Sequence, residues 1–125
     1  MKTEADVIGI VDDDEGVCAA LDALFRAGGF GVVMFPSAEA LLSSTCLQII
    51  SCLVLDVHLP GMDGLSLQRR LADNSCMTPI IVLTAHPDAE MRARAMAQGA
   101  VAFLTKPFEG DLLLAEVARG LSQTK

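Results

Sequence analysis

Val7-Ile8-Gly9-Ile10-Val11-Asp12-Asp13-Asp14 places a five-residue apolar run directly before three acids. A run this short and this continuously apolar reads as a strand covered on both faces, as in a parallel sheet between two helix layers. The pattern recurs, with Cys52-Leu53-Val54-Leu55 before Asp56 and Val101-Ala102-Phe103-Leu104 shortly before Lys106. Strands of a parallel sheet all end on one edge, so Asp12, Asp13, Asp56 and Lys106 are expected to converge there although they are distant in the chain. Three carboxylates beside one ammonium repel one another unless a cation offsets them. A divalent ion with a transferred phosphoryl group is the chemistry that uses such a cluster.

The chain around these runs alternates helix-like and strand-like segments. From Glu15 to about Ala27, Val17, Leu21, Leu24 and Phe25 share one helical face, and Gly28-Gly29 stops the helix. A second strand spans 32–35, and Pro36-Ser37 opens a short helix to about Ser43 with Ser37 as its N-cap. The third strand is 53–56, followed by a turn-rich loop over 59–64 and a helix over 65–73 with Leu67 and Leu71 on one side. Residues 79–84 are the most strand-like, with β-branched Ile80, Ile81 and Val82. Pro87-Asp88 starts a helix to Gln98 whose expected inward stripe is Ala89, Ala93, Met96 and Ala97, ended by Gly99. A fifth strand over 101–104 and a last helix from about Asp111 to Leu121 complete an alternation of five strands and five helices. That is the pattern of a doubly wound α/β domain.

Composition narrows the function classes. The 125 residues suffice for one domain with a single core. Mean hydropathy is +0.47, yet no apolar stretch approaches the roughly 18–20 residues a membrane span needs. The opening Met1-Lys2-Thr3-Glu4-Ala5-Asp6 has acids and no apolar core of a signal peptide, so a cytoplasmic protein without membrane association is expected. Cys18, Cys46, Cys52 and Cys76 are too scattered for a CxxC pair or a zinc knuckle and read as reduced thiols. Net charge is −7, with nine basic residues spread along the chain and no Trp or Tyr. Such a surface repels phosphate backbones, which argues against direct nucleic-acid binding by this segment.

Each candidate also has an ordinary structural role to set beside the functional one. An Asp at a strand-to-helix junction serves as a helix cap, but three in a row exceed what one cap needs. Asp56 ends a buried strand before a loop, where a carboxylate is a candidate nucleophile. Thr84 is a good β-former whose hydroxyl can instead bond a phosphoryl oxygen. Lys106 precedes Pro107, and an X-Pro pair with its accessible cis form fixes a sharp turn that aims the lysine. His58 and His86 have no metal-ligand partner at a recognisable spacing, so no zinc site follows from them. Met62 and Asp63 read as turn residues, and Arg69, Arg70, Arg92 and Arg94 as solvated helix faces.

Taken together, Ile10-Val11-Asp12-Asp13, the run Leu55-Asp56-Val57-His58-Leu59-Pro60-Gly61-Met62-Asp63-Gly64, Leu83-Thr84-Ala85 and Lys106-Pro107-Phe108 resemble, in order and spacing, the response-regulator receiver domain of two-component signalling. Ser37-Ala38-Glu39-Ala40, Ala95-Met96-Ala97-Gln98-Gly99-Ala100 and Lys106-Pro107-Phe108-Glu109 are similar to the nitrogen-fixation-regulator subgroup. The resemblance covers nearly the whole chain and implies a flavodoxin-like sheet of order 2-1-3-4-5, with 1–125 as one receiver domain and 1–6 and 122–125 as tails. It implies Asp56 as phosphoacceptor for a sensor histidine kinase. Mg²⁺ would be bound by Asp13, Asp56 and the backbone carbonyl of His58, with Asp12 acting mainly through metal-bound water. Lys106 and Thr84 would hold phosphoryl oxygens, Thr84 and Phe103 would form the switch, and His58 and His86 would tune the pocket mouth. Asp14 is taken as a cap.

Two rivals are weaker. A haloacid-dehalogenase-type phosphatase also uses an aspartate nucleophile, but its motif has Thr or Val where Gly16 stands, and paired acids near the last strands are missing. A degenerate receiver would lack pocket side chains that are all present here. For output, Leu112, Leu113 and Leu114 in a row exceed one sheet-facing stripe. Phosphorylation is therefore expected to draw Thr84 in, let Phe103 turn inward and promote a homodimer through the 88–98 helix, the 101–104 strand and the 111–121 helix. A C-terminal DNA-binding domain outside this chain would then control transcription.

Overall fold

The computed structural model describes residues 6–123, so the tail residues 1–5, 124 and 125 lie outside the described residues. Asp6 already pairs with the second strand through its carbonyl, and 122–123 belong to the last helix rather than to a tail. The elements are β1 Val7–Val11, α1 Glu15–Ala27, β2 Gly31–Phe35, α2 Ala38–Leu42, a 3₁₀ turn Cys46–Ile49, β3 Cys52–Leu55, α3 Gly64–Asp73, β4 Ile80–Thr84, α4 Ala89–Ala97, β5 Ala102–Thr105 and α5 Gly110–Gln123. Side-chain caps set four of the helix starts. Asp14 accepts from the Gly16 and Val17 amides, Ser37 from Ala40, Asp63 from Ser66 and Asp88 from Met91.

All pairings are parallel and the strand order is β2-β1-β3-β4-β5. Successive strand residues point to opposite faces, which divides the core into two. Ile8, Ile10, Cys52, Val54, Ile81 and Leu83 pack under α1 and α5, against Leu21, Phe25, Leu113 and Val117. Val11, Leu53, Leu55, Val82 and Phe103 pack under α2, α3 and α4, against Leu41, Leu65, Leu71 and Ala95. With both faces covered, β1 and β3 are apolar throughout, as the continuous runs in the sequence require, whereas the edge strand β2 is only partly buried. All four cysteines are free, and burial pushes the Cys52 thiol up to about 12. Among the described residues, no helix is long and apolar enough to cross a membrane.

Two expectations are corrected. The 3₁₀ turn over Cys46–Ile49 has no counterpart in the sequence reading, because four residues are too few to show a period. In α4 the stripe Ala89, Ala93, Met96 and Ala97 faces outward, while Ala95 is fully buried and Met91 packs against the core. Alanines occur on several sides of this helix, so their spacing does not mark its inner face. A buried polar contact does: Gln68 of α3 donates to the Ala95 carbonyl at 2.9 Å, and Gln98 donates to Gln68 Oε1 at 2.9 Å.

Candidate functional site: an acid cluster at the sheet edge

The site residues are held by the ends of the strands themselves. The Asp12 amide donates to the Phe35 carbonyl at 3.2 Å, that of Asp56 to Val11 at 3.0 Å, and that of Lys106 to Thr84 at 2.9 Å. Each residue thus stands one step beyond its strand, still tied to the neighbour. β1 and β3 flank the point where the winding reverses, and the crevice there is where ligands of such sheets bind.

Lys106 Nζ bridges two buried carboxylates, 2.7 Å from Asp12 Oδ2 and 3.1 Å from Asp56 Oδ2. Their second oxygens accept backbone amides, Asp12 Oδ1 from Asp14 at 2.9 Å and Asp56 Oδ1 from His58 at 3.1 Å. Asp13 is exposed, and one oxygen each of Asp12, Asp13 and Asp56 lie within 4.8 Å of one another. Asp14 is spent on capping α1, so the three consecutive acids divide into one buried pair member, one exposed cluster member and one cap.

Burial pushes the Asp12 carboxyl above its ordinary value; the Lys106 hydrogen bond and charge pull against this, and Asp56 adds to the rise. Burial alone would lower the Lys106 ammonium, but the hydrogen bonds and charges of Asp12 and Asp56 outweigh it and raise it. One cation therefore faces three carboxylates, and no ion pair reaches Asp13 among the described residues. Three carboxylate oxygens this close, with excess negative charge, suit a hard divalent cation.

Around this centre the remaining candidates assemble. Thr84 is fully buried, and its Oγ1 accepts from the His86 amide at 3.4 Å. The Lys106–Pro107 peptide bond is cis. His58 and His86 are both exposed, their ring centroids 5.9 Å apart. Phe103 differs from expectation: rather than awaiting an inward turn, its ring is already buried. Arg92 lies over it at 5.7 Å from the centroid and donates from Nη1 to the Phe103 carbonyl at 3.3 Å. Arg92 is therefore more than a solvated helix charge.

Two contacts escaped the sequence reading. Glu39 Oε2 of α2 accepts the Met62 amide at 2.9 Å, anchoring the loop that follows Asp56. Gly64 packs so closely on the Asp56 carbonyl that a Cβ there would collide with it. Glu39 lies in the Ser37–Ala40 stretch that carried the subgroup resemblance, but nothing local in the sequence gives its contact with Met62, 23 residues away. Gly64, opening a helix after a capping Asp, carried a weak signal.

Residues 8–118 match the family described as the response regulator receiver domain. Nodulation protein W of Bradyrhizobium diazoefficiens is 47% identical over 108 residues, covering 86% of this chain and 48% of that protein. Transcriptional regulatory protein FixJ of the same organism is 37% identical over 118 residues, covering 94% and 58%. The solved structure of the response regulator StyR superposes with a TM-score of 0.88 at 41% identity, covering 96% of this chain and 61% of that one. The chain spans about half the length of the curated relatives it matches. By the match over 8–118 and these identities, the chain belongs to the response regulator receiver domains, in the company of the nitrogen-fixation regulators.

Proposed function

We propose that Asp56 accepts a phosphoryl group from the phosphohistidine of a sensor histidine kinase. An Asp56 oxygen attacks phosphorus in line, the P–N bond to the donor imidazole breaks, and the imidazole leaves with the bonding electrons. Asp12, Asp13, Asp56 and the backbone carbonyl of His58 would hold Mg²⁺, which when bound offsets the repulsion between phosphoryl and carboxylate oxygens. Asp13, exposed and without an ion pair among the described residues, is the freer ligand; Asp12 already gives Oδ2 to Lys106. Lys106 and Thr84 then hold phosphoryl oxygens, while His58 and His86 tune access. The observation that carries this reading is the Lys106 ammonium bonded to both Asp12 and Asp56 beside Asp13, a cation already aimed at the acceptor.

The whole of 1–125 acts as one receiver unit in the cytoplasm, gaining and slowly losing its own phosphoryl group. Thr84 and Phe103 pass the change to α4, β5 and α5, where it alters self-association or partner binding. A DNA-binding domain outside this chain would convert that change into transcription control. Acetyl phosphate with Mg²⁺ should add one acid-stable, alkali-labile phosphoryl group per chain, and Asp56→Asn should abolish it. Labelling of the Asp56→Asn protein at the wild-type rate would overturn the assignment.

A further inference from the structure

Two imidazoles far apart in the chain meet where the loops after β3 and β4 approach each other. His58 follows β3 and His86 follows β4; both are exposed, and their ring centroids lie 5.9 Å apart with planes at 65°. His58 Nε2 is 3.5 Å from the His86 carbonyl oxygen, at the limit of a hydrogen bond, so the ring is weakly held. Two imidazoles sharing one four-coordinate ion, each nitrogen at ~2.1 Å, put their ring centres about 5 Å apart, so small side-chain rotations reach that geometry. The cleft beside His58 is lined by Asp63, Asp88 and Glu90, with Arg94 as the opposing charge. Asp63 and Asp88 each use one oxygen as a helix cap, and the excess of acids favours a cation there.

We propose that His58 and His86 form a two-imidazole site for a borderline divalent ion of the nickel, copper and zinc class. The ion ties the loop after β3 to the loop after β4 across the entrance to Asp56. Ligand type separates this site from the acid cluster, because imidazole nitrogen suits such ions whereas carboxylate and carbonyl oxygen suit Mg²⁺. The two sites can therefore be filled together. That the bridging ion slows phosphoryl entry rests on the reading of Asp56 as acceptor; the existence of the site does not.

Calorimetric titration of the whole chain with Ni²⁺, in excess Mg²⁺ and with thiols kept reduced by a non-thiol reagent, tests the site. One ion per wild-type chain is expected, bound about tenfold or more weaker in His58→Gln and in His86→Gln. Both residues are exposed, and matching thermal melts verify that the variants fold. Wild-type affinity in either variant overturns the proposal. In a second arm, acetyl-phosphate labelling is measured for each protein with and without saturating Ni²⁺. With Mg²⁺ present throughout, Ni²⁺ should slow labelling in the wild type several-fold relative to its own Ni²⁺-free rate and lose that effect in both variants. Unslowed wild-type labelling refutes the closure over Asp56. Absence of labelling in every sample, with or without Ni²⁺, refutes the acceptor reading and leaves the titration to decide the site.

Discussion

Lys106 is the residue on which the pocket's electrostatics turn. Its removal strands two buried carboxylates beside each other, and breaking a buried ion pair from one side costs about 3 kcal/mol. Lys106→Ala should therefore lower the melting temperature in chelator by roughly 10 °C, read by calorimetry. The pH dependence follows from the raised Lys106 value. A cation whose folded value exceeds the ordinary ~10.4 contributes fully below that pH and loses its contribution as pH rises through the folded value. The stability gap between wild type and Lys106→Ala should stay level from neutrality to about pH 10 and close above it. A gap that closes between pH 7 and 9 would contradict the ion pair. Asp13 behaves oppositely: exposed and unpaired among the described residues, it adds repulsion of about 1 kcal/mol at most. Asp13→Asn should raise the metal-free melting temperature slightly and weaken Mg²⁺ binding, whereas the wild type should gain stability from Mg²⁺ by mass action. A lower melting temperature for Asp13→Asn in chelator would count against the cluster.

At the scale of elements, α2 restrains the loop after β3. Gly61 has φ +74°, a left-handed conformation that favours glycine, and a Cβ there would sit 2.6 Å from Glu39 Oε2. Gly61→Ala should cost about 1–2 kcal/mol in chemical denaturation, by the backbone strain of a Cβ at positive φ. The Met62 amide holds the Glu39 carboxyl below its ordinary value. A depressed acid contributes stability above its unfolded value, about 4.3, and loses it as pH falls through the folded one. The melting-temperature difference between wild type and Glu39→Gln should therefore be present at pH 6 and vanish in strong acid; a difference independent of pH would mean that the carboxylate charge is not involved.

For the molecule as a whole, the face built from α4, β5 and α5 carries apolar surface that the core does not absorb. Leu113 is fully buried and Leu114 half-buried, but Leu112 is 46% and Met96 42% exposed. Sedimentation with beryllofluoride and Mg²⁺ should show a dimer that Leu112→Asp abolishes, because only a change in self-affinity lets phosphorylation shift the population. A monomer at high micromolar concentration in the activated wild type would refute the dimer while leaving Asp56 as acceptor.

Local pattern sufficed for much of this protein. Short apolar runs leading to Asp12, Asp56 and Lys106, and the caps Asp14 and Ser37, are readable because strand burial and capping depend on neighbours in the chain. The convergence of the acids followed from parallel strands sharing an edge. Tertiary structure decided the rest, where the determining contact is remote in sequence. Which side of α4 faces inward was settled by Gln68 reaching Ala95, since alanine spacing alone is ambiguous. The Arg92 contact with Phe103, the Glu39 hold on Met62 and the meeting of His58 with His86 depend on packing between separate elements. No periodicity encodes such pairs, because each side chain is ordinary until the fold supplies its partner.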